Sequence, residues 1–94
     1  MTTKVTPTGA FLRDLKRLGK GARQDDAIAA IELFVENPHA ASLNFEPIRS
    51  QKGYYSIRAN YHDRLILRMI SQSEYEAVAV GNHDYVYVSY FRRK

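Results

Sequence analysis

The feature that most constrains this sequence is a change of hydrophobic period at Gly53. Before this glycine, apolar residues recur every three or four positions, which is typical of helices with one buried face. After it, apolar and polar residues alternate, which is typical of strands with one buried face. Helices followed by a run of strands predict an α+β fold with an antiparallel meander rather than alternating strand–helix units.

The size and composition restrict the chain further. Its 94 residues are the size of a single domain, so we expect one domain over residues 1–94. The sequence has no apolar run long enough for a membrane span and no apolar signal-peptide core at its start. It contains no cysteine, which excludes a disulfide framework, a thiol nucleophile and thiolate metal ligands. A cytoplasmic, bacterial-type protein is the simplest interpretation.

A short strand and a helix are predicted at the start of the chain. Residues 4–6 favour a strand, and Thr6 and Pro7 then offer an N-cap and a proline at the first helical position. Gly19 and Gly21 end this helix. Its apolar positions at helical spacing are Phe11, Leu12, Leu15 and Leu18.

A second helix is predicted from about residue 23 to residue 36, where Asn37 and Pro38 end it. Together the two helices predict a helical hairpin packed on a sheet. The expected core stripe of the second helix is Ile28, Ile31 and Val35, with Ala27, Ala30 and Phe34 beside it.

Three strands are predicted after Gly53, over residues 54–60, 64–70 and 75–80, with turns at 61–63 and 71–74. The tail, residues 85–94, is compatible with a strand or a short helix. The predicted order is β-α-α-β-β-β, with the helical hairpin on one face of a small, mainly antiparallel sheet. The residues predicted to face the helices are Tyr55, Ile57, Ala59, Leu65, Leu67 and Met69. Those predicted on the opposite face are Tyr54, Ser56, Arg58, Asn60, Arg64, Ile66 and Arg68.

The charge is uneven along the chain. The net charge is +4 and the pI about 9.5, which favours an anionic partner such as nucleic acid. Residues 1–23 hold six Lys/Arg and one acid, residues 24–47 five acids and no Lys/Arg, and residues 48–94 eight Lys/Arg and four acids. The basic side of the first helix is either a solvated face or a surface that binds a nucleic-acid backbone. It consists of Arg13, Lys16, Arg17 and Lys20.

Three arginines fall on the polar side of neighbouring strands: Arg58, Arg64 and Arg68. Their charges repel one another unless an anion binds between them, and a guanidinium matches a phosphate group bidentately. This pattern favours a phosphate site. The alternative is that each arginine pairs with an acid or lies at an exposed edge.

His83 directly follows the predicted strand over residues 75–80, where Gly81 lets the backbone turn and Asp84 and Tyr87 add polar groups. An imidazole near an arginine cluster can donate or accept a proton during phosphoryl transfer. The alternative is a histidine that only supports the turn. His39 and His62 lie in predicted loops, and no residues have metal-ligand spacing. We therefore expect neither a metal nor a cofactor.

Glu46 lies between Phe45 and Pro47, before the first strand of the meander. A carboxylate held near arginines can act as the base for a ribose 2′-hydroxyl. From composition alone, a surface acid is the simpler interpretation.

An ordered pattern over nearly the whole chain resembles the RelE/ParE superfamily of toxins from type II toxin–antitoxin systems. Glu46-Pro47-Ile48 followed by Gly-Tyr-x-Ser is similar to the YoeB branch, and the ending Gly-x-His-Asp-x-x-Tyr is similar to a RelE-like branch. The segments that carry the resemblance are Phe11-Leu12-Arg13-Asp14-Leu15, Asn44-Phe45-Glu46-Pro47-Ile48, Gly53-Tyr54-Tyr55-Ser56-Ile57-Arg58, Arg64-Leu65-Ile66-Leu67 and Val80-Gly81-Asn82-His83-Asp84 with Tyr87.

The resemblance implies a RelE-like fold and an endoribonuclease that cuts mRNA in the ribosomal A site and is neutralised by a cognate antitoxin. At matching positions, Glu46 resembles the catalytic base of the YoeB branch. Arg58 and Arg64 match strand arginines that hold the scissile phosphate or support the site. His83 matches the general acid, and Tyr87 matches a tyrosine that stacks on or orients the substrate.

The same fold also occurs in ParE-like toxins that poison DNA gyrase without active-site chemistry, and a degenerate binding module is a further alternative. The acid, arginines, histidine and tyrosine at matching positions favour the nuclease. The turn between Arg58 and Arg64 is longer here than in the family, and a family lysine pair is reduced to Lys52. The residues predicted to bind RNA around the catalytic set are Lys52, Arg68, Arg13, Lys16, Arg17 and Lys20.

Overall fold

The computed structural model describes residues 3–89 and 91. It consists of β1 (Lys4–Pro7), α1 (Gly9–Arg17), α2 (Ala22–Glu36), a short 3-10 helix (Ala41–Leu43), β2 (Glu46–Pro47), β3 (Tyr54–Arg58), β4 (Asp63–Ser71), β5 (Glu74–Asn82) and a C-terminal π-helix (Tyr85–Ser89). The predicted α+β order is confirmed, with β2 and the C-terminal helix added to it. None of the helices in the described residues has both the length and the apolar character needed to cross a membrane.

The five strands form one sheet in the order β1-β5-β4-β3-β2. β1 runs parallel to β5, and every other neighbouring pair is antiparallel. Short turns suffice for the antiparallel pairs, whereas a parallel pair needs a long crossover. The helical hairpin, which lies early in the chain between β1 and the meander, is part of that crossover.

The strand faces predicted from alternation are confirmed within β3 and β4, but β3 ends at Arg58 rather than at residue 60, and Asn60, predicted opposite the helices, donates a hydrogen bond to Asp26 of α2. Ile57, Leu65 and Leu67 are fully buried against the helices, in one core cluster with Phe11 and Phe34. Each fully buried residue of this size contributes roughly 1.5–3 kcal/mol by leaving water. The main core therefore lies between the helical hairpin and one face of the sheet.

The predicted start of α1 is wrong by two residues. Thr8, not Thr6, is the N-cap, and its hydroxyl oxygen accepts a hydrogen bond from the backbone N–H of Phe11 at 3.2 Å. Pro7 belongs to β1 and pairs with Ala77 of β5. Pairing with β5 extends the strand through the proline, so the helix begins after it.

The predicted core stripe of α2 is also displaced. The buried residues are Ala27, Ala30 and Phe34, whereas Ile28 is 43% exposed and Val35 is half-buried. Two alanines let the helix backbone approach the sheet closely, so the face with the smaller side chains is the one that packs. Leu12 of α1 is similarly exposed, although its spacing predicted a core position.

A second apolar cluster occupies the sheet face opposite the hairpin, where the sequence predicted polar side chains. Ile66, Val78 and Ala79 are buried there beneath Val86 of the C-terminal helix. The sequence left residues 85–94 open between a strand and a short helix. Residues 85–89 form a helix, and Tyr90 and residues 92–94 lie outside the described residues.

The strand ends and the phase of β5 depart from simple alternation. β4 begins at Asp63, which was predicted in the turn, and β5 continues to Asn82, past the break predicted at Gly81.

A register shift in β5 lets Ala79 pair with Ile66 and Ala77 with Leu67. Val78 is the extra residue of this β-bulge, which turns every later side chain of β5 to the other face.

Candidate active site

The strand register brings Arg58 and Arg64 together. Arg58 is the last residue of β3, and its partner across the ladder is Arg64 of β4. Arg64 in turn pairs with Gly81 of β5. Because alternate residues of a strand share a face, both arginines lie opposite the helical hairpin, as predicted. Two like charges placed directly across a sheet destabilise it, so the pair favours an anionic ligand.

The two arginines differ in how they are held. Arg64 is half-buried, and its Nη1 donates to the carbonyl oxygens of Asn60 and Asp63, both at 3.3 Å. Arg58 is exposed, and within the described part of the chain its guanidinium has no acidic partner. One guanidinium is therefore oriented by the protein, and the other is free to turn toward a ligand.

Arg68, the third arginine of this face, already has a partner. Glu76 of β5 lies across from it, with 3.1 Å between Arg68 Nη2 and Glu76 Oε1 and 3.2 Å between Arg68 Nε and the same oxygen. For Arg68, the structure therefore agrees with the alternative that each arginine pairs with an acid. Arg68 lies along β4 from the arginine pair, with the buried Ile66 between Arg64 and Arg68.

His83 and Tyr87 meet just beyond the end of β5. Their ring centroids are 4.5 Å apart at an interplanar angle of 45°. Asn82 begins this segment, since its Oδ1 accepts a hydrogen bond from the backbone N–H of Tyr85 at 2.9 Å. The imidazole is exposed, and its Nδ1 lies 3.7 Å from Oδ1 of Asp84. A solvent-accessible imidazole in contact with a second ring is well placed to exchange a proton with a ligand.

Glu46 lies on the exposed edge strand β2, opposite Ser56 of β3. Ser56 and Arg58 share a face, so Glu46 is a diagonal neighbour of Arg58 on that face. β2 and β5 flank β3 and β4 in the sheet. The acid and the histidine therefore lie on either side of the arginine pair.

The remaining predicted RNA-binding residues are all exposed but do not surround this centre, because α1 packs on the opposite face of the sheet and Lys52 precedes β3 at the end away from Arg58. Lys52 is in the turn before β3, Arg13, Lys16 and Arg17 are on α1, and Lys20 follows that helix. The guanidinium carbon of Arg17 lies 5.6 Å from the ring centroid of Tyr85. The basic side of α1 thus reaches the C-terminal helix.

Sequence reasoning missed an ion pair that supports the site. Asp63 is fully buried, and its carboxylate accepts hydrogen bonds from Arg23 Nη2 at 2.6 Å and Arg23 Nε at 2.9 Å. Asn60 Nδ2 also donates to it at 3.0 Å. The Arg23 guanidinium holds the pKa of Asp63 below its usual value, against the opposing effect of burial. These bonds fix the turn whose carbonyl oxygens orient Arg64.

A cavity of about 460 Å³ lies between α2 and the end of β3, lined by Asp26, Ala29, Ala30 and Leu33 of α2 and by Arg58 to Tyr61; Arg64, Glu46 and His83 are not part of its lining. Across residues 3–89 and 91, no three His, Asp or Glu side chains converge as metal ligands.

Comparison with solved structures identifies the fold. A YoeB/ParE toxin from Agrobacterium tumefaciens is 20% identical, with a TM-score of 0.69 over 86% of this chain and 99% of that one. YafQ from E. coli is 18% identical, with a TM-score of 0.74 over 90% and 98%. A chain of the RelBE2 toxin–antitoxin complex from Mycobacterium tuberculosis is 22% identical, with a TM-score of 0.57 over 88% and 100%. No family model and no curated protein sequence matches the chain.

The protein therefore has an α+β fold of the RelE type. More particularly, it has the fold of the RelE/ParE superfamily toxins, as the sequence pattern predicted.

Proposed function

We propose that this protein is a toxin of a toxin–antitoxin system and acts as a metal-independent endoribonuclease on mRNA. The observation that carries the proposal is the uncompensated pair Arg58 and Arg64, which lies between a carboxylate and an exposed imidazole. A phosphodiester supplies the anionic group that such a pair favours.

In the proposed reaction, Glu46 or neutral His83 removes the proton of a ribose 2′-hydroxyl. The 2′-oxygen then attacks the adjacent phosphorus, while Arg58 and Arg64 stabilise the negative charge on the phosphate oxygens. A well-placed donor of this kind is worth about 3–4 kcal/mol of transition-state stabilisation. Protonated His83 donates to the departing 5′-oxygen as the P–O bond breaks. The products are a 2′,3′-cyclic phosphate and a 5′-hydroxyl.

Strand spacing supports Glu46 as the base and His83 as the acid. Glu46 lies on β2 and His83 follows β5, so three strand spacings of about 4.8 Å each separate them by roughly 14 Å across the sheet, and the register, which sets Glu46 level with Ala79, adds an offset of four residues along the strands. A base and an acid that act on opposite sides of one phosphorus must lie apart, with the phosphate between them. Arg58 and Arg64 occupy the two intervening strands.

The proposed partners are a cognate antitoxin and mRNA, the latter on the ribosome. E. coli YafQ has been crystallised in a DinJ–YafQ toxin–antitoxin complex, and RelBE2 is also a toxin–antitoxin complex. The net charge of +4 and the exposed arginines fit both an acidic protein segment and RNA.

The deciding experiment is inducible expression followed by transcript-end mapping, with an Arg58→Ala variant expressed at the same level as the control. New 5′-hydroxyl ends within mRNA for the wild type alone support the proposal. Intact mRNA together with induced DNA damage contradicts it and indicates gyrase poisoning. With purified protein and ribosomes of checked integrity, cleavage is expected to survive EDTA. Loss of cleavage that Mg²⁺ restores would overturn the metal-independent mechanism.

A further inference from the structure

Asp14 is a buried carboxylate on the most basic helix of the protein. It is the single acid among residues 1–23, and it is only 4% exposed. Its Oδ2 accepts a hydrogen bond from the backbone N–H of Val80 at 3.2 Å, and its Oδ1 accepts one from the Tyr85 hydroxyl at 2.6 Å. A carboxylate is costly to bury unless hydrogen bonds compensate it. Asp14 thus links α1 to both β5 and the C-terminal helix.

Tyr85 is held on its other sides as well. A Cβ atom added at Gly81 would lie 2.7 Å from Cδ2 of the Tyr85 ring, so the ring rests directly on the glycine backbone. The guanidinium of Arg17 lies on the ring at 5.6 Å from its centroid. The ring therefore crosses the edge of β5, from the face that carries Arg64 to the carboxylate on α1.

We propose that Asp14 is a positioning residue for the His83–Tyr87 pair and acts through Tyr85. This inference rests on the proposed function, in which His83 is the general acid. Tyr85 lies between His83 and Tyr87 in the helical segment that leaves β5. Fixing the Tyr85 ring at both ends sets the direction in which this segment leaves the sheet. That direction determines where the imidazole of His83 lies relative to Arg58 and Arg64.

A purely structural role for Asp14 makes a different prediction. In that case its essential bond is the one to Val80, which satisfies an N–H at the edge of β5, and the Tyr85 hydroxyl is dispensable for activity. Tyr85→Phe separates the two roles, because it removes one hydroxyl and leaves the Asp14–Val80 bond and the ring on Gly81 in place. Tyr55→Phe is the matched control, since Tyr55 is a half-buried tyrosine in the other core cluster.

The experiment has two independent readouts on folded protein, namely the His83 ring-proton shifts in NMR spectra and the kinetics of RNA cleavage. For Tyr85→Phe we expect the His83 shifts to move toward those of a free imidazole as the contact with Tyr87 loosens. We expect kcat to fall by about tenfold to a hundredfold, because a misplaced acid loses transition-state stabilisation, with KM within about twofold. Tyr55→Phe is expected to change neither readout.

Unchanged His83 shifts and unchanged kcat in folded Tyr85→Phe would overturn the positioning role. If that variant fails to fold, Asp14→Ala replaces it, because it removes the acceptor of the Tyr85 hydroxyl altogether, and unchanged His83 shifts in folded Asp14→Ala would overturn the positioning role. Absence of cleavage by the wild type would refute the proposed nuclease instead. The NMR readout would then decide by itself whether Asp14 and Tyr85 hold the His83–Tyr87 pair.

Discussion

At the scale of the residue, the partner across the sheet decides what each arginine can do. Arg58, Arg64 and Arg68 share a face by alternation. Arg68 faces Glu76 and forms an ion pair with it, whereas Arg58 faces Arg64. An exposed ion pair contributes little to stability, but it occupies the guanidinium. Arg58 and Arg64 are therefore the two arginines of this face that have no acidic partner among the described residues.

Arg58→Ala is expected to lower cleavage by about a hundredfold or more, because it removes a donor to the phosphate in the transition state. Stability should change little, since the side chain is exposed and pairs with no acid among the described residues. Single-turnover cleavage and urea unfolding measure the two effects. Arg49→Ala removes the same charge from an exposed turn and is the control. A comparable loss in Arg49→Ala would mean that overall charge, not the arginine pair, carries activity.

His83→Gln is expected to keep the fold and antitoxin binding yet remove most cleavage, because glutamine cannot protonate the leaving oxygen. A general acid must carry its proton. The wild-type rate should therefore fall as the pH rises, and His83→Gln should lose this dependence. Rates measured from pH 5.5 to 9 for both proteins check this. Cleavage by folded His83→Gln at nearly the wild-type rate would remove His83 from the mechanism and leave Glu46 as its titratable group.

At the scale of the element, Arg23 and Asp63 join the start of α2 to the start of β4. Asp63 is fully buried, and both of its oxygens accept hydrogen bonds from Arg23. The guanidinium keeps the pKa of Asp63 below its usual value in the folded protein. The contribution of this pair to stability is therefore complete above the unfolded-state pKa of about 3.9 and is lost as the pH falls through the lower folded-state value.

We accordingly expect the free energy of unfolding of the wild type to decrease as the pH is lowered from about 5. Arg23→Gln removes the partner of Asp63, so this variant should be less stable at neutral pH, and the difference from the wild type should shrink in acid. Urea unfolding of both proteins between pH 2.5 and 7 measures it. A difference that stays constant over this range would show that the ion pair is not the source of the acid sensitivity.

At the scale of the whole molecule, both faces of the sheet are covered, but to different extents. The helical hairpin covers one face, and the C-terminal helix covers the middle of the other through Val86 on Ile66, Val78 and Ala79. The arginine pair lies at the end of the sheet from which that helix leaves β5. This leaves a basic surface beside the histidine.

An antitoxin that covers this surface should bind less tightly as salt rises, because exposed charges are screened within a Debye length of about 10 Å at 0.1 M salt. Dissociation constants measured between 0.05 and 0.5 M NaCl test this expectation. The Arg58→Ala variant should show a shallower salt dependence than the wild type. A complex whose affinity does not depend on salt would indicate an apolar interface away from the arginine pair.

Local sequence determined the elements and most of their faces. The change of period at Gly53 predicted two helices and a meander, and alternation placed Ile57 and Leu67 in the core and Arg58 and Arg64 opposite. These are properties of residues a few positions apart, which a single segment expresses by itself. Their order gave the α+β arrangement, and the resemblance of the sequence pattern implied its RelE-like form.

Which distant residues contact one another depends on how the chain folds. The bulge at Val78 reverses the phase of β5, so that Gly81 lies beside Arg64 and can support Tyr85. Asp14 bonds to Tyr85 across 71 positions of the chain, and Arg23 bonds to Asp63 across 40. Periodicity specifies a face, but register, bulges and ion-pair partners depend on how distant segments pack. That packing is a property of the whole folded chain.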